Sequence, residues 1–210
     1  MAKIAIQGNP AGTGTITFQP PNTNTNRTVS LPDVDGTMAV VSQVNSLEVA
    51  KLNKDENIVL GASVAASGTA VDFVGIPAGV KRVTVMFDGV STNGASPIEI
   101  RIGSTTFTST GYKSGAVNLV ASNGPGNSTS GFNIDGIGID TDFRSGIASL
   151  CLMAPNMWAA VSVVGMSNRA GTRVGGGVVS IPGVLDRIRI TTVNGTDLFD
   201  AGTINISWEY

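Results

Sequence analysis

The chain of 210 residues contains no histidine. That absence removes the Ser-His-Asp and Cys-His arrangements of nucleophilic catalysis, in which an imidazole carries the proton, and every histidine-ligated zinc centre. Cysteine occurs once, at Cys151, so no intrachain disulfide can brace the fold. Between Leu150 and Leu152, that thiol is expected to be a small buried apolar residue rather than a reactive one. Charge is scarce too. Asp, Glu, Lys and Arg make up 13% of the chain, the 13 Lys and Arg are scattered with only Lys81 and Arg82 adjacent, and the net charge is -2. No basic stripe exists to follow a phosphate backbone, and nucleic acid is not an expected partner.

No export signal is read at the N-terminus, where MAKIAIQGNPAG offers one Lys and the short apolar run Ile4 to Ile6 before Gln7 and Gly8. The longest uncharged stretch, Ser145 to Asn168, has the length of a bilayer-spanning helix. Pro155-Asn156 interrupts it at the midpoint, and each flank has the length and composition of one buried strand. A hairpin of two core strands is therefore expected, without membrane insertion.

What the chain does have is 41% hydrophobic residues, 27 glycines and a mean hydropathy of +0.22, the composition of a folded protein rich in turns. From about residue 68 onward, short alternating runs recur between clusters of Gly, Asn, Asp, Ser and Pro. Val83, Val85 and Phe87 share one face of a strand, as do Ile98, Ile100 and Ile102 of another and Ile204, Ile206 and Trp208 of the last. With no helical period between them, these runs predict an all-β fold, an antiparallel, jelly-roll-like β-sandwich over residues 68–210.

Residues 1–40 differ in character. Lys3 to Gln7, Gly14 to Phe18 and Thr28 to Leu31 each suit a short strand, but together they are too small to bury a core of their own. Such a segment must pack against other copies or onto another protein. Between the two parts lie residues 41–67, where Val44 and Leu47 fall at helical spacing with Val40 just before them. They predict a short helical or coiled-coil stalk over Ser42 to Asn53, about 18 Å long at 1.5 Å per residue. A lone surface helix or an extended linker is the alternative.

These residues also carry a resemblance. AKIAIQGNPAGTGTITFQPPNTNTNRTVSLPDVDGTMAV resembles the N-terminal attachment segment of tailed-phage virion proteins. Thr69 to Gly103 and Leu185 to Tyr210 resemble a C-terminal domain found on phage head-fibre and tail-fibre proteins, whereas Tyr112 to Gly183 matches less well. The resemblance implies a bacteriophage virion structural protein, assembled in the host bacterial cytoplasm. It would be a homotrimeric head fibre or decoration protein, attached to the capsid or neck through residues 1–40 and displaying the sandwich. The alternative it leaves open is a tail-fibre or receptor-binding protein that recognises a host surface glycan. Head and tail locations are not separated by it.

Chemistry-bearing groups are sparse. Asp72, Asp88, Glu99, Asp135, Asp140 and Asp142 are the carboxylates available for paired acid and base work, and nothing in the sequence pairs them, so no enzymatic activity is expected. NIDGIGIDTD places Asn133, Asp135, Asp140 and Asp142 close together, yet it lacks the glycine and closing Glu of a calcium loop. Solvated loop carboxylates are the expectation there, with calcium as the alternative, and neither a metal nor a cofactor is assigned. GNPAGTG, Gly8 to Gly14, lacks the lysine of a phosphate loop and reads as a turn. Trp158 is expected in the core. Tyr112 and Phe143, in polar, Gly-rich surroundings, are the aromatics expected to be exposed and free to stack on a sugar.

Overall fold

The computed structural model describes residues 11–13, 58–119 and 126–210. The chain divides into two units, Met1–Val44 and Asn45–Tyr210, and the second holds every strand described below. Most of the expected attachment segment and the whole of the expected helix over Ser42 to Asn53 lie outside the described residues.

The strands run in order as β1 (Ile58–Leu60), β2 (Val64–Ala65), β3 (Ala70–Val74), β4 (Arg82–Thr92), β5 (Ile98–Ser104), β6 (Thr106–Phe107) and β7 (Lys113–Asn118). They continue as β8 (Gly126–Ser128), β9 (Phe132–Asn133), β10 (Arg144–Ala154), β11 (Met157–Met166), β12 (Thr172–Ser180), β13 (Arg187–Thr192) and β14 (Phe199–Glu209). All described regular structure is β. A nine-stranded sheet has the order β1-β14-β4-β10-β11-β12-β7-β8, with β2 also on β14. A five-stranded sheet has the order β3-β13-β5-β6, with β9 also on β5. The ladders are antiparallel.

Alternation fixes which side of each strand turns inward. Val83, Val85 and Phe87 of β4, Ala148 and Leu150 of β10, and Ile204 and Ile206 of β14 are buried beneath the large sheet. Across from them, Ile188 and Ile190 of β13 lie in register with Phe73 and Val71 of β3 on one side and Ile102 and Ile100 of β5 on the other. Residues from both sheets form one continuous core. A slip of one residue in β13 would send both isoleucines to solvent and both neighbouring arginines inward, so the register is strongly specified.

The hairpin expected over Ser145 to Asn168 is present as β10 and β11. Asn156 takes a left-handed conformation (φ 61°) at its turn, a backbone that asparagine tolerates better than most residues. No helix among the described residues is long and apolar enough to cross a membrane. Trp158 is buried as expected. Cys151 is not. It is exposed, because the alternation that carries Leu150 inward turns residue 151 outward. Apolar sequence neighbours signal burial in a helix turn or a loop far better than in a half-buried strand.

Residues 58–67 also differ from the reading that assigned them to a linker. β1 and β2 pair with β14, placing Val59 opposite Trp208 and Val64 opposite Ile204, and the N–H of Gly61 donates to the carbonyl of Ile206 at 2.7 Å. Without them β14 would present a long edge of unpaired backbone groups, so these two short strands cover it. Trp208 is only half-buried against the core.

Burial therefore separates the two tryptophans. Trp158→Ala is expected to cost about 3–5 kcal/mol, the range for a large aromatic truncated inside a core, and Trp208→Ala distinctly less. Urea unfolding monitored by circular dichroism measures both; equal losses would place Trp208 in the core after all.

Candidate functional site

The segment from Asn133 to Phe143 is built from its first residue outward. At the end of β9 the Asn133 side-chain oxygen accepts the backbone N–H groups of Asp135 (2.8 Å) and Gly136 (2.9 Å), while its amide donates to the carbonyl oxygens of Gly136 (3.2 Å) and Gly126 (3.3 Å). This Asx-type turn aims Asp135 inward. The loop lies hard against the large sheet: a Cβ at Gly175 of β12 would sit 2.5 Å from the Asn133 carbonyl oxygen, so only glycine fits there.

Asp135, Asp142, Arg144 and Arg173 are all fully buried. The Arg144 Nε donates to Asp135 Oδ1 at 2.9 Å, and its terminal nitrogens donate to the carbonyl oxygens of Asp142 and Ile139, each at 2.9 Å. Arg173 pairs with both carboxylates at once. Arg169, at the rim, donates to Asp142 from Nη2 at 2.8 Å. Two buried carboxylates thus face two buried guanidiniums, with a third cation at the edge. Burial pulls Arg144 and Arg173 below the usual guanidinium range to about 10, still protonated at neutral pH, whereas the hydrogen bond to Asp142 holds Arg169 above its ordinary value.

This arrangement corrects the sequence reading of the loop. Asp140 is exposed, as a solvated carboxylate should be, but Asp135 and Asp142 are sealed inside and saturated by arginine. Their oxygens are committed to guanidinium groups, leaving no shared vacancy for calcium, and no cluster of three or more potential metal ligands occurs among the described residues. Glu99 is likewise enclosed. It accepts from Ser128 Oγ and Ser130 Oγ, both at 2.8 Å, and from Arg101 Nε at 2.7 Å.

Tyr112 is corrected as well. Its side chain is 1% exposed, its ring meets Phe132 edge-on at 5.0 Å, and its hydroxyl accepts the Ile102 N–H at 2.8 Å while donating to the Thr108 carbonyl at 3.2 Å. It closes the core beneath β5 and offers no face to a sugar. Burial raises its phenol well above the usual range. The surrounding glycines mark the turn that brings it there rather than a solvated loop.

Phe143 stands where it was expected, 39% exposed. Its backbone is clamped: the N–H donates to Asn168 Oδ1 at 3.1 Å, and the carbonyl accepts from the Ser167 N–H at 2.8 Å. Asn168 Nδ2 in turn donates to the Thr141 carbonyl at 2.6 Å. The result is an aromatic ring mounted on two loops stitched together, a fit surface for stacking. Sequence reasoning missed Arg144, Arg169 and Arg173. Each sits singly in its own segment, and only the fold brings them to one place.

Asp135→Asn should destabilise the protein by about 3–5 kcal/mol, because it leaves buried guanidinium charge without its partner. Saturating calcium should leave the wild-type melting temperature unmoved; a calcium-dependent rise would restore the metal reading. Tyr112 supplies a second test. An unfolded phenol ionises near pH 10, the folded one only higher, so its contribution is whole below about pH 10 and drains away above it. Tyr112→Phe should cost about 1–3 kcal/mol at pH 7 by stranding the Ile102 N–H. The gap between the two proteins should narrow above about pH 10, as stability measured across that range would reveal.

Compared with protein-family models, curated proteins and solved structures, the chain gives no match.

Proposed function

We propose that this chain is a bacteriophage virion structural protein, a homotrimeric head-fibre or decoration protein that attaches to the capsid or neck through residues 1–40. One observation carries the reading. The two segments that resemble phage fibre domains, Thr69 to Gly103 and Leu185 to Tyr210, are far apart in sequence, yet they supply β3, β4, β5, β13 and β14, which pair with one another. β13 lies between β3 and β5, and β14 lies against β4. A resemblance by chance at two distant places has no reason to select mutually paired strands. The ribbon from β4 to β5 runs against the ribbon from β13 to β14 across the two sheets, which supports the jelly-roll-like sandwich. The less similar middle adds β7, β8, β11 and β12 on the far side of β10.

A second reading, a tail-fibre or receptor-binding protein, is favoured by Phe143. Its exposed ring on a clamped loop offers a flat apolar face to a host surface polysaccharide. Both readings place the protein on the virion, assembled in the bacterial cytoplasm, and neither gives it a catalytic task.

Light scattering on the purified protein at micromolar concentration should report three chains; a monomer would defeat the trimer. Removing residues 1–40 should leave the β domain folded while abolishing incorporation into virions. Incubation with host polysaccharide should release no new reducing ends. Binding that disappears in Phe143→Ala would select the receptor-binding reading over decoration.

A further inference from the structure

We infer that the outer face of the nine-stranded sheet is the surface through which copies of this chain associate, an inference that rests on the homotrimer proposed above. The register makes the face explicit. Val117, Val174, Val163, Ile147 and Met86 stand side by side on β7, β12, β11, β10 and β4. The adjoining row on the same strands is Gly115, Gly176, Val161, Ser149 and Thr84. Neither row holds a charge. In the third row charges return only toward the two sides, with Lys113 on β7 and Arg82 on β4, and Val178, Ala159 and Cys151 lie between them. Ile147, Val161 and Val163 are 50%, 53% and 49% exposed.

The other sheet shows how this chain treats a face meant for water. On its outer side Arg189 donates to Asp72 from Nε at 2.7 Å and stacks 4.2 Å over the Phe107 ring, and Arg187 pairs with Asp186. Both sheets alternate, but on the large sheet the outward charges, Lys113 on β7 and the Arg82–Glu209 pair on β4 and β14, stand to either side of β10, β11 and β12. On β10, β11 and β12 the outward positions between Ser145 and Cys151, and those paired with them, are Ile, Val, Ala, Gly, Ser, Thr and Cys, with no charge among them.

Size points to the occupant. With strands about 4.8 Å apart and residues rising about 3.4 Å, six strands and the seven residues from Ser145 to Cys151 span about 24 Å by about 20 Å. That is roughly 500 Å² in projection, enough for the apolar centre, though not the rim, of an interface that ordinarily buries about 800 Å² on each partner. A face charged only at its margins, by Lys113 on one side and the Arg82–Glu209 pair on the other, offers little to a strongly acidic or basic partner, whereas another copy of itself matches it in chemistry and in flatness. In a closed ring of three, each copy turns this face toward the threefold axis.

Cys151 is the chain's single cysteine and stands on this face, which makes it a reporter. The full-length protein should have the mass of three chains, and a bulky polyethylene-glycol maleimide should label Cys151 at least about tenfold more slowly than it labels the denatured chain. Val161→Lys and Val163→Lys, both at exposed positions, should each give a monomer with an unchanged far-ultraviolet spectrum and rapid labelling. Val74→Lys, on the other sheet, should remain a protected trimer. If both variants of the large sheet stay trimeric with slow labelling, the inference fails and the homotrimer stands. If the wild type is a monomer, the homotrimer and the inference fall together; slow labelling in that monomer would mean that the chain covers its own face.

Discussion

The fold depends on charge buried where there is almost no charge to spend. The five-stranded sheet shares the core with β14, β4 and β10, but beyond Val179 the inward side of β12 and β7 carries Arg173, Gly175, Gly177, Ser114 and Ala116, small or polar residues that cannot build a second apolar layer. The loop from Asn133 to Phe143 closes that half instead, and Asp135 and Asp142 bind it to Arg144 and Arg173. An isolated ion in such a place would cost several kcal/mol, so the set survives only as a balanced whole. A packed apolar plug of equal volume would hold as well. What the ions add is direction: a guanidinium fork accepts carboxylates in few orientations, so the loop has one way to lie down.

That single placement reaches the surface. Asp142 is paired inward with Arg173 and outward with Arg169, and the next residue, Phe143, points to solvent with its backbone held by Ser167 and Asn168. The backbone that carries the exposed ring is thus fixed from below by buried charge and from the side by hydrogen bonds. A contact residue carried this way loses little freedom on binding, which is the property a recognition surface needs.

Much of the architecture was legible because strand alternation is a local signal. The inward faces of β4 and β5, Ile204 and Ile206 of β14, the hairpin at Pro155-Asn156 and the burial of Trp158 followed from local pattern alone. The failures share a cause: each depends on a partner distant in sequence. Tyr112 looks like a loop residue until β5 is placed above its hydroxyl. Asp135 and Asp142 look solvated until Arg173, some thirty residues onward, is folded back onto them. Residues 58–67 look like linker because β1 and β2 are too short to declare themselves without the edge of β14. Cys151 failed differently, through neighbours read as if they shared its side of the strand.

The low charge of the composition, first an argument against nucleic acid, acquires a structural location. The charged pairs Asp72–Arg189 and Arg101–Glu99 sit on the small sheet, the buried set closes the loop, and the outward side of β10, β11 and β12 is left with Ile147, Ser149, Val161, Val163, Val174 and Gly176. A sheet that faces water on one side ordinarily alternates apolar with polar, and a long apolar face invites association of some kind. Glycine and β-branched residues make that face flat and free of ions, which suits close packing between like surfaces. The same economy of charge therefore serves both ends of the proposed role: ions are concentrated where a loop must be oriented, and withheld where one copy must meet another.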